Sequence, residues 1–411
     1  MRYTPALGVL LALSLVSAGC GGGEAVTTTT TAVTTTTTSA PTTTTTSAPT
    51  TTMAPQWASV TIDVSMEGDD EAAAAVAGLY AWIGDRTLPT PAAPAGLLDL
   101  LADVHPDTGS SFEAVLHAAD VTGGRVAVVT AGDDVVLLTD EGAGWRVVGA
   151  HLPRFGVAAW YGGEVRHVLI LGTDARPGES QRLYRADSIH IISSNSARGA
   201  GSILGFPRDT YVEASYGYDK FTHVNALAET HSSEMVDIAE RISGLPIDGY
   251  ILAGFTSFRQ LVNAFGGVVV DVPYFIDDWK AEALIAKGVQ RLWGDAALGF
   301  SRTRAITGGD FARSANQGKV ILAALGETLD WDITRLPTLI AILVDHTWTD
   351  LSLGDLLTLG ATAFLVSPDQ VTNVVLPGTV ATAPGGASVV HLDEAPTAEI
   401  FDDLVDGVLD G

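Results

Sequence analysis

A chain of 411 residues, 46% of them apolar, has room for two ordered domains and an ample buried core. Its formal net charge of −26 argues against nucleic acid as a partner, because phosphate would be repelled at long range and no basic face is advertised. The single cysteine, Cys20, excludes a disulfide framework within the chain and any CxxC metal site.

The chain opens MRYTPALGVLLALSLVSAGC, with one basic residue, an apolar run from Ala6 to Val16 and small residues ahead of Cys20. This is the pattern of a bacterial lipoprotein export signal over residues 1–20, with Cys20 the lipidated first residue of the mature chain. The run is short for a membrane span. Ser17 stands where leucine is commoner, which keeps an ordinary cleaved signal or an uncleaved anchor as the alternative. Residues 21–56 are threonine runs punctuated by SAP, a tether in which no core can form. Together these segments predict a protein held by lipid at the extracytoplasmic face of the cell membrane.

Residues 57–155 read as a small α+β domain: a strand in ASVTIDVSM, helices in DDEAAAAVAGLYAWIGD and GLLDLLADV, then four alternating runs that predict an antiparallel meander. No nucleophile, metal cluster or phosphate loop occurs in it. Its expected role is to bind wall polymer or a partner.

Residues 160–411 alternate strands and helices, which predicts a layered α/β/α domain with a central mixed sheet. Val168 to Leu171, Ser188 to Ile192 and Ser202 to Phe206 are short β-branched runs and predict adjacent strands. The first and third end in Asp174 and Arg176 and in Arg208 and Asp209, while Arg185 and Asp187 open the second. One such pair is ordinarily a solvated ion pair. Three together suit a metal-bridged phosphate, with oxygen ligands for Mg²⁺ and planar forks for phosphoryl oxygens. Farther on, the pattern predicts a helix from Val224 to Ser243, strand GYILAGF, helix SFRQLVNAF, strand VVVDVP and a helix from Asp310 to about Leu329. Two apolar helices, strand VTNVVLP and a terminal helix follow. Phe255, Phe258, Phe265 and Phe275 read as core or as the lining of an apolar groove.

SRTR puts Arg302 and Arg304 two apart, on one face if the segment is a strand. Asp310, Arg313, Asn316 and Gln317 share one face near a helix start, a ready seat for phosphate. No HExxH, GxSxG or Walker loop is present. Basic residues concentrate between positions 166 and 335, which makes an anionic ligand plausible there despite the acidic total.

LGTDAR, RADSI and GFPRDTYV, then LPIDGYILAGFTSFRQLVNAFGGVVVDVP, LWGDAALGFSRTR and GDFARSANQGKV, resemble in order the LytR-CpsA-Psr family over roughly residues 165 to 400. These are envelope enzymes acting on polyprenyl-pyrophosphate-linked glycopolymers. The resemblance implies an extracytoplasmic phosphotransferase that moves a glycopolymer from a polyprenyl-pyrophosphate carrier to peptidoglycan, releasing polyprenyl phosphate. It implies Mg²⁺ on Asp174 and Asp187, and pyrophosphate held by Arg185, Arg208, Arg302, Arg304, Arg313 and Gln317. Arg208, Asp209 and Arg304 stand in catalytic positions, with Asp209 or a metal-held carboxylate taking the acceptor proton. A polyprenyl-pyrophosphate hydrolase and a non-catalytic carrier-binding protein are the alternatives. Asn316 stands where many members have another arginine, and KFTHVNA departs from the family's pattern, so Lys220 and His223 receive no role. Members usually carry a membrane helix; the lipid anchor is a different means to the same place.

Overall fold

A computed structural model describes residues 58–409 except Pro177 and Ala305. The expected signal with Cys20 and the expected tether lie outside the described residues. After β1 (Ile62–Met66) comes α1 (Asp70–Gly84), started by Asp69, whose carboxylate accepts from the N–H groups of Glu71 and Ala72 at 3.0 Å. α2 (Ala95–Ala102) follows. A meander then runs through β2 (Ser110–Val121), β3 (Gly124–Ala131), β4 (Asp134–Asp140), β5 (Arg146–Leu152) and β6 (Val157–Trp160), antiparallel throughout, with β1 parallel to β2 at its edge.

Period-2 alternation gives this sheet two apolar faces. Ala127, Val129, Val136 and Leu138 meet Val76, Leu79 and Ile83 of α1 and Leu97 of α2. Val126, Val128, Val135 and Leu137 face the other way, onto Leu336, Ile340, Leu353 and Leu357 of the C-terminal half. Residues 57–155, which the sequence sets apart from 160–411, therefore share a core with them, and Trp57–Gly411 form one compact unit.

The second sheet is built from β7 (Val165–Thr173), β8 (Ala186–Asn195) and β9 (Ala200–Gly205), adjacent and antiparallel as their patterns predict. A short ribbon, β10 (Tyr211–Ala214) with β11 (Gly217–Lys220), leads into α3 (Phe221–Leu227) and α4 (Ser232–Ser243). The single helix expected over 224–243 is thus two helices, broken at His231 with φ 51°. β12 (Tyr250–Gly254) joins β7 in parallel and runs into α5 (Phe255–Ala264).

β13 (Val268–Val272) does not join that sheet. It pairs with β16 (Gly288–Leu292), and β14 (Ile276–Asp278) pairs with β15 (Ala283–Ile285), so 268–292 is one long hairpin. α6 (Gly294–Arg302), α7 (Gly309–Glu327) and α8 (Leu336–His346) follow, then β17 (Trp348–Thr349), α9 (Leu353–Ala363) and β18 (Val371–Val375). The chain closes with the ribbon β19 (Gly378–Thr382) and β20 (Ser388–Leu392) and with α10 (Glu394–Asp403). The sheet order is β17-β12-β7-β8-β9-β18, with β7, β9, β12 and β18 parallel to one another. Leu169, Leu171, Ile189 and Ile191 pack on α3, α4 and α10, whereas Val168, Ile170 and Ile192 point to the side of α7 and α8.

Candidate active site

Because β8 runs against β7 and β9, the ends of β7 and β9 and the start of β8 lie on one edge of the sheet. That edge gathers Asp174, Arg185, Asp187, Arg208 and Asp209, as the sequence pattern suggests. Asp187 is the hub. Its Oδ1 accepts from Arg208 Nη1 at 2.6 Å and from Thr222 Oγ1 at 3.2 Å, and its Oδ2 lies 3.8 Å from Arg313 Nη1. Burial alone would raise the Asp187 carboxyl, but Arg208, Arg313 and Arg185 together hold it below the usual carboxylate range.

Asp310 is a second hub that the sequence reading set on the helix face without a role. Its Oδ1 lies 2.9 Å from Arg313 Nη2, 3.7 Å from Arg304 Nη2 and 3.8 Å from Arg208 Nε. Its spacing of three from Arg313 on α7 was the available signal. Asp209 Oδ1 is 3.7 Å from Arg208 Nε and its Oδ2 is 3.2 Å from Lys220, a lysine that received no role. Arg185 pairs with Asp174, donating through Nε at 3.1 Å and through Nη2. Arg185 is thus paired with Asp174 and within electrostatic reach of Asp187.

Arg185, Arg208, Lys220, Arg304 and Arg313 therefore meet Asp174, Asp187, Asp209 and Asp310 at one edge. Arg313 bears the strain. It is buried, and burial first, with the nearby Arg208 and Arg304 charges, pushes its pKa down to about 10 against the pull of Asp310 and Asp187. Arg313 Nε, Arg208 Nε, Asp174 Oδ1 and Asp310 Oδ2 are buried without hydrogen-bond partners within the chain. Such atoms are costly unless a ligand completes them.

The strand setting of SRTR is corrected. Arg302 and Arg304 are not on a strand: Arg302 ends α6, and its guanidinium stacks 4.6 Å over Phe255, away from the Asp310 cluster. Buried Ala297, Leu298 and Phe300 give SRTR's lead-in a helical period, and the chain turns extended only at Thr303. Gln317 reaches the site but donates its amide protons to the carbonyls of Asp187 at 3.3 Å and Ser301 at 3.2 Å, stitching α7 to β8 and α6. Asn316 is buried, with Nδ2 unpartnered. His190 on β8 secures the same helix. Its Nε2–H donates to the Ser314 carbonyl at 3.1 Å and its Nδ1 accepts from Ser188, and burial lowers its pKa to about 4. A side chain at Gly205 would meet Ser314 Oγ at 2.5 Å, so a glycine lets β9 approach α7 this closely.

The loop carrying Asp174 and Arg185 is pinned through residues 181–184. Asn225 Nδ2 donates to the carbonyls of Arg182 and Tyr184 at 2.9 and 2.7 Å, and Gln181 Oε1 accepts from the N–H of Thr256 at 3.1 Å. Behind the charges lies an apolar cavity of about 280 Å³. Asp187, Arg302, Arg313 and Gln317 stand at its polar end, and Ile170, Phe255, Phe258 and Phe265 line its walls. A second apolar cavity of about 350 Å³ shares Ile170, Ile192, Ile251, Ile321, Ala324 and Leu343 with the first, so the two adjoin between the sheet and α7 and α8; the first, whose polar end meets the charges, is the channel. Phe275 is not part of this lining; it is exposed.

The LytR_cpsA_psr family model matches residues 162–405. The polyisoprenyl-teichoic acid–peptidoglycan teichoic acid transferase TagT of Bacillus subtilis (strain 168) is 29% identical over 247 residues, 58% of this chain and 75% of that protein. The crystal structure of B. subtilis TagV shares the fold, with a TM-score of 0.51 at 21% identity over 59% of this chain and 98% of its own. TagT bound to LIIa-WTA aligns with a TM-score of 0.50 at 25% identity, over 61% of this chain and 92% of its own. With more than half its length matched, and every motif of the charged edge inside the match, this chain belongs to the LytR_cpsA_psr family.

Proposed function

We propose that this protein transfers a glycopolymer from a polyprenyl-pyrophosphate carrier to peptidoglycan, outside the cytoplasm, while a lipid on Cys20 keeps it at the membrane. The observation that supports this best is the junction of a cation-rich cluster with the polar end of an apolar channel. A diphosphate joined to a long hydrocarbon has those same two halves. The name of the relative TagT, a transferase from polyisoprenyl-teichoic acid to peptidoglycan, agrees.

In the reaction an acceptor hydroxyl oxygen bonds to the phosphorus that carries the glycopolymer. The P–O bond to the polyprenyl phosphate breaks, and that phosphate leaves with the electron pair. Arg208, Arg304 and Arg313 bear on the growing negative charge; with their chain positions fixed by packing, they need little reorganisation as it develops. Asp209, held beside Lys220, takes the hydroxyl proton. Arg302, on the channel wall, marks where the leaving phosphate meets its hydrocarbon.

Asp174 and Asp187 suit Mg²⁺. Among the described residues no group of three His, Cys, Asp or Glu could hold a metal, but Mg²⁺ binds through one or two carboxylates when substrate phosphate supplies the rest. The unpartnered Asp174 Oδ1 is an available ligand. When bound, the ion would neutralise diphosphate charge.

Incubation with a short-chain polyprenyl-pyrophosphate glycan tests the reading. Release of polyprenyl phosphate that depends on added peptidoglycan, with label moving to the polymer, is the expected result. Release without an acceptor would make the protein a hydrolase; binding without release would make it a carrier-binding protein.

A further inference from the structure

The long hairpin 268–292 buries one face and leaves the other bare. Val268, Val270, Val272, Ile276 and Ile285 turn inward, while Phe275, Trp279 and Leu284 are 63%, 81% and 75% exposed. In the register, Leu284 lies opposite Asp277, two residues from Phe275, so Leu284 and Phe275 are diagonal neighbours on the outer face. Trp279 sits at the tip, with Lys280 Nζ 5.6 Å from its ring centroid. An indole this exposed is rare on a surface that faces only water.

We propose that the outer face of this hairpin docks on the phospholipid bilayer, seating Trp279, Phe275 and Leu284 at the polar–apolar boundary. An indole with a lysine beside it suits that boundary, the ring at headgroup depth and the ammonium among the phosphates. The inference rests on the proposed carrier, whose hydrocarbon must leave a bilayer to enter the channel. The hairpin is close to that channel in structure: Val262, Val268 and Val320 belong both to the hairpin's core and to the channel wall. A tether does not bring the channel to the bilayer. Residues 21–56 could extend up to about 120 Å at ~3.3 Å per residue, and among the described residues no helix is long and apolar enough to cross a membrane. The hairpin supplies the missing contact.

It also touches the chemistry. Asp278, inward-facing next to Trp279, accepts from Thr303 Oγ1 at 2.9 Å and from the N–H of Arg304 at 3.1 Å. The residue that holds Arg304's backbone in place thus sits at the tip that meets the membrane.

The test uses the full chain and its Phe275→Ser, Trp279→Ser double variant, whose altered side chains are exposed, with vesicles of phosphatidylglycerol, phosphatidylethanolamine and acyl-brominated phosphatidylcholine. Bromolipid should quench tryptophan fluorescence in the parent, and that quenching should be largely lost in the variant. Turnover of long-chain carrier in vesicles should fall about tenfold, because the apolar area that seats the hairpin is removed, while turnover of a short-chain carrier in solution is unchanged. Equal quenching and equal vesicle turnover in both proteins would overturn the proposal. So would a parent dimer in solution that the variant converts to monomer, since a second copy would then own the face. Quenching of Trp279 with no turnover of either carrier would uphold the docking and refute the transferase reading instead.

Discussion

Replacing Arg208 with lysine keeps the charge and removes the fork. Arg208 commits Nη1 to Asp187 at 2.6 Å, while its Nε, 3.7 Å from Asp209 and 3.8 Å from Asp310, is buried with no hydrogen bond. The guanidinium can therefore hold Asp187 and still offer N–H groups to a phosphoryl oxygen. An ammonium concentrates its donors at one point and must choose. A lost charge-assisted hydrogen bond is about 1.5 to 3 kcal/mol, so kcat/KM for carrier cleavage should fall about tenfold to a hundredfold. Stability should change little, because the Asp187 contact survives in one of its forms. Release of polyprenyl phosphate, followed beside circular dichroism and a urea midpoint, measures both. Unchanged cleavage in Arg208→Lys and in Arg304→Ala, with the fold intact, would remove the arginine cluster from the mechanism and favour a carrier-binding protein.

Cys20→Ala should move the protein from the membrane to the soluble fraction, and mass spectrometry of the parent should find lipid on Cys20; an unmodified Cys20 within an intact signal would refute the anchor. Mn²⁺ binding, read by electron paramagnetic resonance in place of Mg²⁺, should weaken at least about tenfold in Asp174→Asn and in Asp187→Asn. His190 has a folded pKa of about 4 against an ordinary 6.5, so the unfolded chain takes up its proton first as the pH falls. Its contribution is complete above pH 6.5 and is lost between 6.5 and 4, about 3 kcal/mol in all. Urea unfolding of His190→Gln should show a flatter pH dependence across that window than the parent.

Much of the charged edge was legible because its determinants are local. Short β-branched runs ending in acid and arginine define β7, β8 and β9, and three adjacent antiparallel strands must bring alternate ends together. What escaped depends on tertiary contacts. The break between α3 and α4 is fixed by Asn225, which holds Arg182, Tyr184 and Ser232 at once, and by His231 at positive φ. A propensity count over 224–243 contains none of that. β13 looks like a sheet strand, yet its alternating burial belongs to a ribbon with one bare face, and Asp271 on that face is the hint. SRTR invites a strand period, but a two-residue spacing that would align Arg302 and Arg304 on a strand splits them at a helix end.

Asp310 shows why a site can be missed even when its residues are on view. Alone on a helix it is one more acid in a chain with 48 of them. Its role exists only because Arg208, Arg304 and Arg313, drawn from three separate segments, converge on it. Without Asp310 and Asp187 the buried Arg313 would face Arg208 and Arg304 uncompensated, and the burial that already lowers its pKa, with their repulsion added, would oppose folding directly. With them, the cluster is stable enough to form but keeps several buried polar atoms unpaired. Local stability has been conceded at the place where an anionic ligand can restore it. A purely structural network would instead be expected to close its hydrogen bonds, which is why the unpaired buried polar atoms, more than the number of arginines, point to diphosphate.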